Sequence, residues 1–348
     1  MILAIDIGTS SCKAAIFTLT GEVVASSARD YAVLYPHPNH AEQDPNQWWN
    51  AVCKACKEIV AGHDIEAIAV AGQSWSAVMV DSLGNPIFNS PIWMDGRSED
   101  VCQEILAKIP AEDIFDLCGN HLRPAFTTGK ILWFKKHFPN EFARVCKVLQ
   151  SNSFIVHCLT GVFSQDTSQG YGLHFFDTRK LQWDKNMAKE MGISLDLMPD
   201  IYSPSQVVGW VTKSAALLTG IREGVPVVAG GLDAACSALG AGVSASGETQ
   251  CQGGSAGGMS LCLDSPIMHP KLILSPHVVP GCWLLQGGTV GGGGVLRWLK
   301  DNVLDGVSYE EMSWLAAESE PGSVVFCRIW RANEAPYGTQ MQKVFFLA

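Results

Sequence analysis

Apolar residues come in short runs, and polar turns separate them. Residues 1–8, MILAIDIG, are an apolar run that one Asp interrupts. SCKAAIFTLTG (11–21) and EVVASSARDYAV (22–33) follow, so the chain opens as strand, turn, strand, turn, strand. Residues 46–61 carry a helical period. IEAIAVAG (65–72) reads as a short buried strand and SAVMVDSLGNPIF (76–88) as a hairpin around Leu83-Gly84-Asn85. Residues 98–148 look largely helical. A second run starts near VPVVAGG (225–231) and continues through GETQCQGG, SAGGMSLCLD and GCWLLQGG, short strands with glycine breaks. A glycine run then leads into the helical pattern VLRWLKDNVL. Strands, a helix, then the scheme again predict a duplicated α/β unit around a cleft.

Length and charge narrow the classes. A chain of 348 residues exceeds one ordinary core, so two domains are expected. Apolar residues at 47% and charged residues at 17% are a globular balance. A net charge of −10 repels phosphate backbones and argues against nucleic acid. The N-terminal run reads as a buried strand and not a leader, and no long apolar stretch predicts a membrane span. Twelve cysteines include one CxxC, Cys53 to Cys56, on a helical pattern with no second pair to complete a zinc site. Reduced, mostly buried thiols in a cytoplasmic protein are the expectation.

Three glycine-containing loops carry candidate chemistry. Asp6, Gly8, Thr9, Ser10 and Ser11 sit between the first two strands. Glycine lets backbone approach a phosphate, hydroxyls and N–H groups turn inward, and a carboxylate at the strand end can hold Mg²⁺; Lys13 adds a cation. The same residues would also serve as a plain polar hairpin turn. Asp233 follows Gly230-Gly231-Leu232 and precedes the small-residue helix AACSALGAG, as a helix N-cap, a cleft-facing base, or both. Gly253, Gly254 and Ser255 form a second glycine hairpin, and Gly291, Gly292, Gly293 and Gly294 open a helix. No GK[ST] Walker loop is present, and the first glycine motif is not the pre-helix turn of a Rossmann fingerprint.

The order DIGTSS, GQSW, WMDGR, GKILWFKKHFP, LTG, GGLDAACSALGAG, QGGSAGG and GGGGVLRWLKDN, with AEQDPNQWW at 41–49, resembles the FGGY carbohydrate kinases, nearest their xylulokinase-like members. The likeness runs from residue 1 to about Phe326. It implies an α/β fold of two ribonuclease-H-like, actin-like ATPase domains around a cleft, with the second incomplete. Residues 1–243 would be the sugar-side domain and 244–326 a partial nucleotide-side domain. The resemblance implies ATP and Mg²⁺ as cofactors and a ketose or polyol as substrate. It places Asp233 as the catalytic base and Asp6 with Asp233 at the metal. Asp6, Gly8 to Ser11 and Lys13 would form the first phosphate loop, Gly253 to Ser255 the second, and Gly291 to Gly294 the adenosine side. Where the family writes GTS in the second loop, Gly254 replaces Thr and one hydroxyl donor is lost.

On the sugar side the resemblance names Gln73, Ser74, Trp75, Trp93 and Asp95. The common GQMHG is here Gly72-Gln73-Ser74-Trp75-Ser76, so Met-His becomes Ser-Trp; an indole is donor only, where imidazole both donates and accepts. Trp75 and Trp93 read equally as core aromatics. The usual Lys-Asp-Tyr before LTG is Asn152-Ser153-Phe154. Self-association as a homodimer is left open. Other classes remain: a non-catalytic sugar-binding remnant, or an actin-like ATPase of chaperone or cytoskeletal type, which would lack the GQSW and WMDGR wall.

Residues 327–348, CRIWRANEAPYGTQMQKVFFLA, show neither helical nor alternating period. Back-translated with permitted codons and read two bases later from Phe326, they yield LPYLAGERSPIWDPDAKGVFFG, which matches the motif the family carries next. The segment is therefore expected to be an off-frame tail, irregular in structure, on a chain with impaired activity.

Overall fold

The computed structural model describes residues 1–253, 257–289 and 293–320, and the backbone of 325–329 and 343–347. Its first sheet runs in the order Val207–Trp210, Pro226–Val228, Ala67–Gly72, β1 (Ile2–Ile7), β2 (Ser11–Phe17), β3 (Val23–Asp30). β1, β2 and β3 form an antiparallel meander, and β1 lies parallel to Ala67–Gly72. The short strand Gly231–Leu232 also pairs parallel with Ala67–Gly72. This is the expected first α/β unit.

Strand alternation decides which face is covered. In β1, Leu3, Ile5 and Ile7 are buried, while Asp6 faces the other side. The buried face receives helix α1 (Pro45–Ile59), whose Trp48, Val52, Ala55, Cys56 and Ile59 recur at helical spacing. Asp44 caps α1 by accepting the Asn46 N–H at 2.9 Å, and Pro45 stands where a missing N–H costs nothing. The helix Ser151–Thr160 packs on the same core, and it comes so near that a Cβ on Gly72 would lie 2.3 Å from Ser151 Oγ. The CxxC lies on α1 as expected. Burial raises both of its thiols, that of Cys53 to about 11, which suits packing more than redox chemistry.

Residues 98–148 hold the helices Glu99–Leu106, Ala111–Cys118, Thr127–His137 and Pro139–Phe142, as the period predicts. The second sheet is antiparallel, in the order Thr249–Gly253, Gly257–Leu263, Trp283–Thr289, Ile273–Pro276. Three of these strands follow the glycine-broken runs. Ile273–Pro276 was not anticipated, and neither was Val207–Trp210, whose antiparallel pairing carries a bulge. Among the described residues the second sheet has no parallel pair, so the second unit repeats the hairpins of the first and not its crossover. Asn120 joins the two units: its amide donates to Leu274 O at 2.8 Å and accepts from Leu274 N at 3.1 Å. Among the described residues no helix is long and apolar enough to cross a membrane.

The tail departs from its expectation of irregularity. The backbone of Val325–Ile329 pairs antiparallel with Lys343–Leu347 in a two-stranded sheet of its own. VFCRI and KVFFL are rich in β-branched and aromatic residues, which favour strands whatever their origin.

One buried cation ties the first domain's loops together. Lys130, on the helix Thr127–His137, is wholly buried. Its ammonium donates to Trp75 O (2.8 Å), Ile92 O (2.8 Å) and Ala125 O (2.6 Å). Those carbonyls belong to the loops that carry Trp75, Trp93 and Phe126. Lys130→Met keeps the stem and strips the donors from three buried acceptors. At about 1–3 kcal/mol for each unsatisfied group, the expected loss in denaturant unfolding is about 3 kcal/mol or more. A loss below about 0.5 kcal/mol would show that the clamp is dispensable.

Candidate active site

Strand register brings the two predicted acids to one edge. Asp6 of β1 and Gly231 both pair with Ala71, from opposite sides of Ala67–Gly72. Two strand spacings separate their chains, roughly 10 Å. Asp233 follows two residues after Gly231, at the mouth of the sheet. Gly230 makes this possible. Its φ is +77°, and a Cβ there would lie 2.0 Å from Val70 O, so only glycine allows the chain to turn back this close to the central strand.

Asp233 is the first residue of the helix Asp233–Gly240, and Leu232 occupies the cap position. The capping role considered from sequence is therefore not the one Asp233 takes. Its Oδ1 accepts the Ala234 N–H at 2.7 Å. A helix N-terminus favours a charged carboxylate. Burial, and next the nearby Asp6, outweigh that and push the Asp233 carboxyl up to about 7. Burial raises Asp6 as well, against the pull of Lys13. Two facing acids that disfavour joint ionisation suit a divalent cation that also binds phosphate oxygens, as Mg²⁺ does. Among the described residues no group of three or more candidate ligands exists, so a metal here would depend on its ligand for the rest.

The first loop is a tight turn. Gly8 N–H donates to Ser11 O at 3.1 Å, and Tyr31 braces it by donating its hydroxyl to Gly8 O at 2.7 Å. Thr9 faces the sugar-side residues. Its hydroxyl accepts from Trp93 Nε1 at 2.9 Å and donates to Gln73 Oε1 at 3.2 Å. Ser10 and Lys13 are exposed. Gly253 ends its strand, and Gly293 and Gly294 open the helix Gly293–Asn302. Gly254, Ser255, Gly291 and Gly292 lie outside the described residues.

The sugar-side set divides. Ser74 and Trp93 are half-buried, and Ser74 Oγ accepts from the Tyr171 hydroxyl at 3.0 Å. Trp75 is 3% exposed and stacks on Phe126 at 4.1 Å between ring centroids. Its φ of +56° is strained for an aromatic residue, and the Lys130 bond to its carbonyl helps hold it there. Trp75, Phe126, Tyr171, Leu232 and Ala235 form one apolar cluster, so the Trp75 wall abuts the helix that starts at Asp233. Gln73 is scaffold: its amide donates to Gln43 at 2.9 Å, and its carbonyl accepts from Ser151 Oγ at 3.0 Å.

Asp95 takes a different part from the sugar anchor expected of it. It is 1% exposed, and both of its oxygens are engaged. Arg97 Nε reaches each at 2.9 Å, and the Ala41 N–H donates to Oδ2 at 2.7 Å. Arg97 continues to Glu42 at 2.7 Å. The carboxylate is occupied because a buried arginine needs a paired charge.

Sequence reasoning missed a polar network under the site. Asp166 is wholly buried and accepts from Asn152 (2.8 Å), Ser168 Oγ (2.5 Å) and the Gln169 N–H (3.0 Å). Ser168 Oγ in turn accepts the Leu232 N–H at 2.9 Å, one residue before Asp233. Gln169 Nε2 donates to Gly72 O at 2.9 Å. Asn152-Ser153-Phe154, the departure before LTG, thus has a physical task. A polar DTSQ run gives no sign in one sequence that it will be buried.

The Asp233 shift sets a pH dependence. A free Asp carboxyl titrates near 3.9. The folded protein keeps the Asp233 proton up to about 7, while the unfolded chain releases it near 3.9. The stability it contributes is full below about pH 4 and is lost as pH rises toward 7. With EDTA present, Asp233→Asn should melt like wild type near pH 4 and higher than wild type at pH 8. Calorimetry showing the variant less stable at pH 8 would contradict the assignment.

The known relatives agree with this geometry. Residues 1–240 match the model of the FGGY family of carbohydrate kinases, N-terminal domain. The chain is 31% identical over 303 residues to a xylulose kinase of Escherichia coli K12, covering 86% of the chain and 62% of that protein. It is 30% identical over 349 residues to a xylulose kinase of Staphylococcus epidermidis, covering 97% of the chain and 69% of that protein. The crystal structure of a Rhodospirillum rubrum xylulose kinase superposes with a TM-score of 0.90 at 28% identity, over 99% of this chain and 72% of that one. The chain therefore spans somewhat less than two thirds of the E. coli protein. It belongs to the FGGY family of carbohydrate kinases.

Proposed function

We propose that this chain carries the sugar side and first phosphate loop of an ATP-dependent kinase that phosphorylates a hydroxyl of a ketose or polyol. One observation carries the reading. Asp233, raised to about 7, stands across one central strand from Asp6 at the mouth of the sheet, beside an aromatic wall. A carboxyl titrating near neutral pH is suited to general-base work. The relatives' names, xylulose kinases, point the same way.

Asp233 takes the proton of the attacking hydroxyl. As that O–H bond breaks, the oxygen bonds to the γ-phosphorus of ATP, and the bond from that phosphorus to the bridging oxygen breaks to leave ADP. Backbone N–H groups of the turn at Gly8 to Ser11 orient the phosphate oxygens. Ser74 and Trp93 position the sugar, and Thr9 couples them to the loop through its bond from Trp93. Asp6 and Asp233 are the residues that would hold Mg²⁺, which when bound supplies positive charge to the phosphoryl oxygens. The off-frame reading of 327–348 belongs to the proposal and is read directly from the coding DNA across the Phe326 codon.

The test is ADP release driven by sugar, with D-xylulose among the sugars tried, on this chain and on its frame-restored form. Asp233→Ala in the active form should lower kcat by about 10²–10⁴-fold, with sugar affinity within a few-fold. A variant with near wild-type turnover would remove Asp233 from the chemistry.

A further inference from the structure

A cavity opens beside the aromatic wall, between the first domain and the residues that lead into the strand Ile273–Pro276. It has a volume of about 390 Å³, counting its open mouth, and Trp75 and Phe126 form one side of it. His121 and Arg123 stand on the first-domain side, with Pro270 and Lys271 opposite. Every ionisable side chain that lines it is basic, and no carboxylate does so. This is notable in a chain of net charge −10.

The walls are fixed and the charges can be placed. Asn120, also in the lining, is consumed by its bonds to Leu274 and so pins the second-domain wall. His121 stacks on Phe115 at 4.8 Å. Burial and the neighbouring Arg123 lower its pKa, so its ring is neutral at pH 7. The positive charge at the cavity thus comes from half-buried Arg123 and from Lys271 at the rim. The acid that acts on this end, Glu112, is exposed and lies outside the lining. The Trp75 wall continues, through Leu232 and Ala235, to the helix of Asp233. Asp95, the carboxylate expected to hold neutral hydroxyls, is taken by Arg97.

We infer that this cavity receives a carboxylate at the end of the sugar remote from the phosphorylated hydroxyl, so that the preferred substrate is an aldonate, an open-chain polyol acid, over a neutral polyol. This rests on the sugar-kinase reading and specifies its substrate. A guanidinium fork matches the two oxygens of a carboxylate, and a half-buried site strengthens that pairing. An apolar aromatic side with few polar anchors suits the carbon chain.

The experiment is isothermal titration of the full chain, without nucleotide, using D-gluconate and D-glucitol, which share a carbon skeleton and differ in the terminal charge. Gluconate should bind about tenfold tighter or more, a difference of about 1.4 kcal/mol. Raising the salt concentration should narrow that gap. Arg123→Gln should reduce the preference to under about threefold while glucitol binding stays within about twofold, and Arg123→Lys should restore part of it. Lys271→Gln, at an exposed position, should narrow the preference in a protein that melts like wild type. Equal or tighter binding of glucitol overturns the inference and leaves the kinase reading standing. A preference that survives both glutamine variants overturns it too. Inorganic phosphate that displaces gluconate with the same dependence on Arg123 would assign the cavity to phosphate instead. If neither polyol binds, the sugar-kinase reading falls with it.

Discussion

The account depends on the register of three parallel strands. Ala67–Gly72 lies between β1 and Gly231–Leu232, and its Ala71 is the common partner of Asp6 and Gly231. A one-residue slip in either pairing would turn Asp6 into the core or carry Asp233 off the edge, since strand side chains alternate faces. Burial of Leu3, Ile5 and Ile7 against α1 fixes one register. The close approach of Gly230 to Val70 O fixes the other. Because the acids are set by backbone pairing, their mutual repulsion cannot be relieved by a rotamer change alone, and it appears as the raised pKa of Asp233.

Buried charge does the remaining positioning. Lys130 holds the loops of Trp75, Ile92 and Ala125 from below. Asp95, Arg97 and Glu42 lock the loop after Trp93. Asp166 reaches the Leu232 N–H through Ser168. Each group is satisfied by several partners, and removing one partner strands the others. That arrangement makes the site rigid where the aromatic wall and the acids meet. It also accounts for a tryptophan at positive φ, a conformation that only dense local bonding sustains.

Much of this was legible in the sequence. The meander, α1, the glycine turns and both acids follow from periodicity and punctuation, and motif order gave the family. The roles of the polar residues were less legible. Asp95 lies in WMDGR and reads as a ligand anchor, yet the adjacent Arg97 consumes it, and only geometry distinguishes a carboxylate facing a sugar from one facing an arginine. Lys130 sits in a lysine-containing amphipathic pattern and reads as a surface charge, though it is wholly buried. Val207–Trp210 is short and bulged, too irregular for an alternation test. Val325–Ile329 and Lys343–Leu347 pair because strand propensity is local and indifferent to reading frame.

The central claim is that backbone register forces Asp6 and Asp233 into one electrostatic unit. The direct measurement is the titration of aspartate side-chain carboxyl carbons by ¹³C NMR in metal-free protein, with the Asp233 signal assigned by its loss in Asp233→Asn. The account predicts an Asp233 midpoint near 7 that falls when Asp6→Asn removes the neighbouring charge. A midpoint near 4, unchanged by Asp6→Asn, would contradict it.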